Sequence, residues 1–132
     1  MTVYQRVQAR TMQAAADLRT LQYRILRASA AGECNVASNP GGGADDLIGV
    51  LQNKPNSGQH ASVGYIGITK CIASATVAAN RMVSTNSNGG AIHAASGDWA
   101  VGMALTAGED GEFITMQLLS PARHISSSLA AL

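Results

Sequence analysis

The stretch DLIGVLQNKPNSGQHASVGYI, residues 46–66, is the strongest indication of the fold, because its pattern occurs twice in the sequence. The second copy is DWAVGMALTAGEDGEFITMQLL, residues 98–119. At an offset of 53 residues Gly49 aligns with Gly102 and Gly58 with Gly111, so the two glycines stand nine residues apart in both copies. Apolar residues coincide at four further positions, namely Ile48 with Val101, Val50 with Met103, Val63 with Met116 and Ile66 with Leu119.

Each copy has the pattern of two strands joined by a loop. An apolar run is followed by a polar gap of turn-forming residues, and then by a second run in which apolar residues alternate with small or polar ones. Two such hairpins in a chain of 132 residues predict a pseudo-duplicated, all-β domain. We expect a small antiparallel β-barrel or a jelly-roll-like sandwich.

Length and composition predict a single domain with a thin core. A chain of this length buries roughly two-thirds of its unfolded surface and needs neither a disulfide nor a metal to fold. Hydrophobic residues make up 46% of the chain, but the aromatic ones are only one Phe, one Trp and three Tyr. Much of the apolar content is therefore Ala and Val.

The charge pattern limits the possible partners. A formal net charge of +1 argues against nucleic acid as the main partner. Charged residues are 13% of the chain, about half the usual share, which fits a surface that is partly covered in its working state. No apolar run approaches the length of a membrane span and the N-terminus lacks a hydrophobic signal core, so we expect neither export nor a membrane partner.

The candidate chemical groups do not combine into an active site or a metal site. Cys34 and Cys71 predict free thiols and a reducing cytoplasm during assembly. His60, His93 and His124 each lack a second ligand at metal-binding spacing, so surface or structurally satisfied histidines are favoured.

Two further motifs are better explained by turns and loops. The acidic pairs at 45–46 and 109–110 fall where turns are expected, and neither has the spacing of a calcium loop. The three glycines at 41–43 are not followed by Gly-Lys-Ser/Thr, which favours a flexible connector over a phosphate cradle. There is also no Gly-x-Ser-x-Gly, so we predict no catalysis and no cofactor.

Residues 1–13 predict an extended N-terminal arm. Apolar and polar residues alternate there as in a strand, with Val3, Val7 and Ala9 on one face and Tyr4, Arg6, Gln8 and Arg10 on the other. A helix is the competing interpretation, since Val3 and Val7 are four residues apart. Fixing ten residues costs on the order of 10 to 20 kcal/mol of backbone entropy. Because the arm has few large apolar groups, we expect it to order against a partner.

Residues 14–121 are predicted to form the domain, and 122–132 a loosely held C-terminal tail. Outside the repeated hairpins, strands are expected near residues 21–27, 34–37, 81–85 and 91–94, with helix confined to one or two turns. The longest strand, residues 61–72, contains Gly64 and Gly67, which predict a bulge or sharp coil.

Several segments, in their order and spacing, resemble the small capsid cement, or decoration, proteins of tailed bacteriophages. They are AADL at 15–18, QYRIL at 22–26, DLIGVLQNKP at 46–55, ASV at 61–63, GITK at 67–70, GDWAVGMAL at 97–105 and MQLL at 116–119. The resemblance covers about residues 14–121. It implies a compact β-barrel or jelly-roll-like sandwich without catalysis, placed on the outside of the icosahedral head.

The partners implied are the major capsid protein and further copies of the chain, which as a homodimer or homotrimer would bridge neighbouring capsid subunits. A clamp that grips two capsomers at once gains from effective concentration, so each contact can be weak. The protein would be made in the host cytoplasm and end on the outer surface of the virion. We hypothesise that the arm contacts the shell or a neighbouring copy by strand addition, through Val3, Tyr4, Arg6, Val7 and Arg10.

Two other classes are compatible with an all-β scaffold. A tail, baseplate or host-surface module that binds carbohydrate would need exposed aromatic platforms, and we expect Trp99 to lie in the core instead. A small hydrolase would need a reactive Cys71 or His60, for which the sequence supplies no matching partner.

Overall fold

The computed structural model describes residues 7–43 and 46–123, and within them the chain is all-β, as predicted. The described residues form nine strands: β1 Val7–Ala14, β2 Ile25–Ala28, β3 Glu33–Val36, β4 Leu47–Leu51, β5 His60–Ile72, β6 Met82–Thr85, β7 Ala91–His93, β8 Trp99–Ala104 and β9 Phe113–Arg123. One 3-10 turn, Pro40–Gly42, lies between β3 and β4. The described part contains no helix long and apolar enough to span a membrane.

The first five strands close into a barrel. They pair in the order β1, β3, β2, β4, β5, and β1 pairs back with β5. The β1–β3 contact is parallel and the others are antiparallel. Of the two architectures predicted, this is the barrel. We call residues 7–65 the first unit.

The remaining strands repeat this arrangement. The C-terminal half of β5 pairs with β9, followed by β8, β6 and β7, all antiparallel. A parallel bridge between Ala73 and Ala91 completes the circuit, at the place where β1 meets β3 in the first unit. We call residues 66–123 the second unit. The long strand β5 therefore ends one unit and begins the next.

The two predicted hairpins have the same register. Strand pairs equivalent at an offset of 53 are Val50–Gly64 with Met103–Gln117 and Leu51–Val63 with Ala104–Met116. Their loops are held by equivalent hydrogen bonds. Ser62 N donates to Asn53 Oδ1, and Thr115 N donates to Thr106 Oγ1, both at 2.9 Å. The pattern repeated at an offset of 53 residues therefore corresponds to two copies of one β-ribbon, as the sequence predicted.

The duplication extends beyond the two hairpins that the sequence predicted and includes the other strands of each unit. At an offset of 57, β2 and β3 correspond to β6 and β7, since Leu26–Gly49 matches Val83–Gly102. At an offset of 59, the end of β1 corresponds to the end of β5. Ala14 N there donates to Gln59 O at 2.9 Å, and its counterpart Ala73 N donates to Glu112 O at 2.8 Å.

Equivalent residues fill the two barrels. The first core comprises Ala14, Leu18, Leu26, Cys34, Leu51, Ala61 and Val63. Their counterparts all belong to the second core, namely Ala73, Val77, Val83, Ala91, Ala104, Ile114 and Met116. At one pair of positions the large and the small side chain are swapped between the barrels. The first barrel has Leu51 and Ala61, where the second has Ala104 and Ile114.

The two units pack against each other through apolar residues. Four buried residues of the first unit belong to the cluster that contains the second core, namely Ile25, Ala37, Leu47 and Val50. A polar contact crosses the same boundary, where Gln52 Nε2 donates to the buried Thr69 hydroxyl at 2.9 Å. The chain is thus two similar barrels with one shared core layer between them.

The predicted arm and tail are seen only in part. Residues 7–13, assigned to the arm, form β1 and pair with β5 of the same chain from Val7 to Gln13. Their partner strand is supplied by this chain. Strand β9 runs past the predicted boundary at 121 to Arg123. Val3, Tyr4, Arg6 and the rest of the tail lie outside the described residues.

Two loop predictions differ in detail. The expected strand at 21–27 begins only at Ile25, because Tyr23 adopts a left-handed conformation with φ of 66°. The triple glycine is not a flexible connector at its first two residues. Gly41 and Gly42 are buried in the 3-10 turn, and a Cβ on Gly42 would meet Trp99 and Leu47 at about 3 Å. The glycines let this loop pack against the second unit.

Candidate binding surface

Of the residues predicted to contact a partner, the structure describes Val7 and Arg10. Val7 begins β1, lies opposite Gly67 and packs against the large core cluster. Arg10 is exposed on the same strand, opposite Val63. Both residues therefore lie along β5, close to where that strand passes from the first unit into the second.

A bulge in β5 exposes an aromatic ring beside Arg10. Gln8 pairs with Ile66 and Ala9 with Gly64, so Tyr65 has no residue opposite it. This confirms the bulge predicted at Gly64. The Tyr65 side chain is 38% exposed, and the Arg10 guanidinium carbon lies 5.9 Å from its ring centroid. Such a cation–π contact at an exposed site contributes about 0.5 to 1 kcal/mol and orients both side chains.

Two exposed aliphatic side chains lie at the boundary between the units. Gly67 pairs with Leu118, so Ile66 and Leu119 are the next residues along the two strands, and they are 53% and 37% exposed. A groove of about 330 Å³ lined by Val7, Gln8, Ile66 and Gly67 runs beside them. We call Val7, Gln8, Ile66 and Leu119 the junction surface.

The junction surface also adjoins a strand edge. Strand β1 pairs with β5 along its length but meets β3 only at Gln13 and Ala14. Within the described part of the chain, residues 8–12 therefore have no strand on their other side. An edge of this kind can take up an extended segment of another protein through main-chain hydrogen bonds. Exposed aliphatic groups beside it add apolar area.

A second groove combines aromatic and basic side chains. The Phe113 ring is 53% exposed and meets Tyr23 edge to face, with ring centroids 5.6 Å apart. Lys70 Nζ lies 6.0 Å from the centroid of Tyr23. Arg19 and Lys54 line the same depression, which has a volume of about 380 Å³. Trp99, by contrast, is half-buried and packs against the core, so it is not an exposed platform.

The histidine and acidic side chains have structural partners or lie apart. His93 Nε2 accepts a hydrogen bond from Ala78 N at 2.9 Å, which is the satisfied histidine that the sequence favoured. His60 is exposed and His124 lies outside the described residues. Among the described residues, no three His, Cys, Asp or Glu side chains come together as a metal site would require.

Both cysteines are buried free thiols. Burial raises the pKa of Cys34, and it raises the pKa of Cys71 to about 12. Because a thiolate is the reactive form, neither side chain is an available nucleophile near neutral pH.

We expect Cys34 and Cys71 to resist alkylation in the folded protein and to react rapidly in urea. The pH dependence of the folding stability follows from the raised pKa of Cys71. Cys71 ionises near 9 when unfolded and about 12 when folded, so its contribution to stability is present below pH 9 and is lost as pH rises towards 12. Mass spectrometry after iodoacetamide treatment measures the alkylation of the two cysteines. Equal labelling with and without urea would contradict the buried positions.

Sequence reasoning did not identify Ile66 and Leu119 as surface residues. Apolar residues in strand patterns are normally assigned to a core, and these two are matched by the 53-residue offset. The bulge at Tyr65 changes which face each following residue of β5 occupies. The signal that indicated the bulge was Gly64, followed by two adjacent large apolar residues.

Comparison with known proteins shows a likeness in fold. The sequence matches no protein-family model, and no curated protein matches it significantly. Among solved structures, the N base of the head fiber gp8.5 of bacteriophage phi29 is similar, with a TM-score of 0.63 and 16% sequence identity. The alignment covers 90% of this chain and 99% of that one. The two chains therefore share a fold over nearly their whole length.

Proposed function

We propose that this chain is a structural protein of a tailed-phage virion, which binds the outside of the head and cements neighbouring major capsid subunits. Its partners in this role are the major capsid protein and further copies of itself, without nucleic acid, membrane, cofactor or catalysis. Binding the assembled, expanded lattice more tightly than its dissociated form stabilises the mature capsid by linkage.

The observation that carries the proposal is the shared fold with the base of a phage head fiber along nearly the full length of both chains. The resemblance of the motif order to capsid cement proteins supports the same location from the sequence alone. The structure adds an exposed apolar surface beside a strand edge that no other described strand pairs with. A scaffold-binding protein needs a surface of this kind.

We assign the capsid contact to the junction surface together with the N-terminal residues. Ile66 and Leu119 supply apolar area. Arg10 adds a cation over the ring of Tyr65, which precedes Ile66 in β5. Val3, Tyr4 and Arg6 precede Val7 in the sequence, so one contact can include both groups. The exposed edge at residues 8–12 accepts an extended segment of the shell in this arrangement.

Co-sedimentation with expanded heads that lack this chain tests the assignment. Ile66→Asp is expected to weaken binding at least about tenfold, because the contact would bury an unpaired carboxylate. Removing residues 1–6 is expected to weaken it as well. A deletion to residue 12 would be uninformative, since it removes most of β1 and opens the first barrel.

Ser57→Asp is the matched control, because it places the same charge on the exposed loop of the first hairpin. It is expected to bind like the unaltered chain. Circular dichroism of each variant confirms folding. Full binding by both Ile66→Asp and the chain without residues 1–6 would rule out the assigned contact.

A carbohydrate-binding module of a tail or baseplate is the alternative, and the groove of Tyr23, Phe113, Lys54 and Arg19 is the observation that favours it. An exposed ring such as that of Phe113, beside hydrogen-bond donors, is suited to a sugar face. Binding to a glycan array that disappears in a folded Phe113→Ala variant would support this role. Under the cement proposal, Phe113→Ala leaves head binding unchanged.

A further inference from the structure

The contact between the two units is head-to-tail, because each unit uses a different face. The first unit contributes an outer wall made of Arg24, Ile25, Ala37, Leu47 and Val50. The second unit contributes a docking end made of Cys71, Val101, Leu118 and the turn at residues 86–90. Since the units are equivalent, each also has the face that its neighbour uses.

Specific hydrogen bonds seat the docking end on the outer wall. Ile25 N donates to Gly89 O at 2.8 Å, and Arg24 Nη1 donates to Asn88 O at 2.9 Å. Gly89 is buried there with a φ of 75°, and a Cβ on it would meet the Ile25 carbonyl oxygen at 2.8 Å. The turn therefore fits closely against the first unit.

Within residues 7–43 and 46–123, the corresponding faces of the two units are exposed or half-buried. The docking end of the first unit comprises Met12, Ile48, Tyr65 and the turn at residues 29–33. Tyr65 is 38% exposed, whereas its counterpart Leu118 is 6% exposed. Gly32, the counterpart of Gly89, has no atom within 4 Å of a Cβ built on it. The two turns close with the same backbone hydrogen bond, since Ser29 N donates to Glu33 O as Asn86 N donates to Gly90 O.

The outer wall of the second unit is likewise only half-buried in the described part of the chain, and it has kept its apolar character. Met82 and Met103 are the counterparts of Ile25 and Val50, which are fully buried, and both methionines are only half-buried. Arg81 takes the place of Arg24. Three of the chain's five methionines, Met12, Met82 and Met103, therefore lie half-buried on these two faces. Methionine adapts to irregular contacts and is enriched at protein interfaces.

We propose that the outer wall of the second unit of one copy receives the docking end of the first unit of another copy. The contact repeats the one inside the chain, with Met82 and Met103 covering Tyr65, Ile48 and Met12. In it, Met82 N donates to Gly32 O of the neighbouring copy, an oxygen that also accepts from Gln13 N of its own chain at 2.9 Å. The Arg81 guanidinium donates to Ala31 O of the neighbouring copy. The proposal concerns the free protein and does not rest on capsid binding.

A head-to-tail contact of this kind closes into a ring when its rotation permits. Each copy contributes two units, so a dimer would be a ring of four units and a trimer a ring of six. The two oligomers predicted from the sequence therefore differ only in the angle between successive units.

Sedimentation velocity of the isolated full chain and two variants tests the contact. Met82→Glu places a charge on the wall, and Tyr65→Glu places one on the docking end. Each variant alone is expected to associate at least about tenfold more weakly, a change of about 1.4 kcal/mol. Ser57→Glu, in the exposed loop of the first hairpin, is the matched control and is expected to associate like the unaltered chain. Circular dichroism verifies that every variant folds.

Mixing the two variants gives the decisive result. Each retains the face that the other has lost, so an equimolar mixture is expected to form a complex of two copies joined by one contact. Three results would overturn the proposal: an unaltered chain that stays monomeric, normal association by either variant alone, or a mixture that remains monomeric although both variants are folded.

Discussion

Gly49→Ala is expected to destabilise the protein by at least about 3 kcal/mol. A Cβ at this position would overlap the backbone carbonyl oxygen of Gly64, which cannot move aside without disrupting the β4–β5 pairing. Gly102 is obstructed in the same way by the carbonyl oxygen of Gln117, at the equivalent place in the second unit. Gly102→Ala is therefore expected to have a similar effect. Urea unfolding followed by circular dichroism measures both.

Gly97→Ala separates steric overlap from backbone strain. Gly97 has a φ of 93°, but nothing lies within 4 Å of a Cβ built on it. Strain alone predicts a loss of about 1 to 2 kcal/mol. If Gly49→Ala were no more destabilising than Gly97→Ala, the close approach of the two strands would not be what requires glycine.

Leu51→Ala is expected to cost about 3 kcal/mol, and Ala61→Ile is expected to restore a large part of it. Leu51 is fully buried in the first core, so its truncation leaves a cavity. The second barrel has the opposite combination, Ala104 with Ile114, in the equivalent positions. The double variant therefore gives the first barrel a pair of side chains that this fold already accommodates.

The double-mutant cycle provides its own control. Ala61→Ile alone overfills the first core and is expected to cost about 1 to 3 kcal/mol. Coupling means that the double variant is more stable than the sum of the two single effects predicts. If the losses in the free energy of unfolding are additive or worse, the first barrel does not accept the pair of core side chains that the second barrel has at the equivalent positions.

The sequence predicted the repeated hairpins because their loops have equal lengths. A single offset of 53 then aligns strands, glycines and loop caps together. It also predicted most strand positions, since the apolar residues alternate there and turn-forming residues separate them.

The full duplication could not be found in the same way. The offset changes from 59 to 57 between Leu18 and Tyr23, and from 57 to 53 between Val36 and Leu47. The second change reflects the longer loop of the first unit, which contains the 3-10 turn at Pro40–Gly42. Core residues also exchange size between positions, as Leu51 and Ala61 show, so the barrels keep their volume without keeping their sequence.

The candidate site was predicted only in part for a related reason. Val7 belongs to the junction surface and Arg10 lies on the same strand, but that strand is part of the barrel. The exposure of Ile66 depends on the bulge at Tyr65 and on the position of β9, which brings Leu119 alongside. Gly64 indicated the bulge locally, but the pairing of β5 with β9 concerns residues distant in sequence, and a local pattern contains no information about it.

A density map of expanded heads, recorded with and without the added chain, shows whether the protein binds the head as proposed. We predict extra density on the outer surface that fits the two-barrel structure, bridges neighbouring major capsid subunits and places Ile66 and Leu119 at the shell. Saturating amounts of folded chain that leave the head surface unchanged would contradict a cementing role.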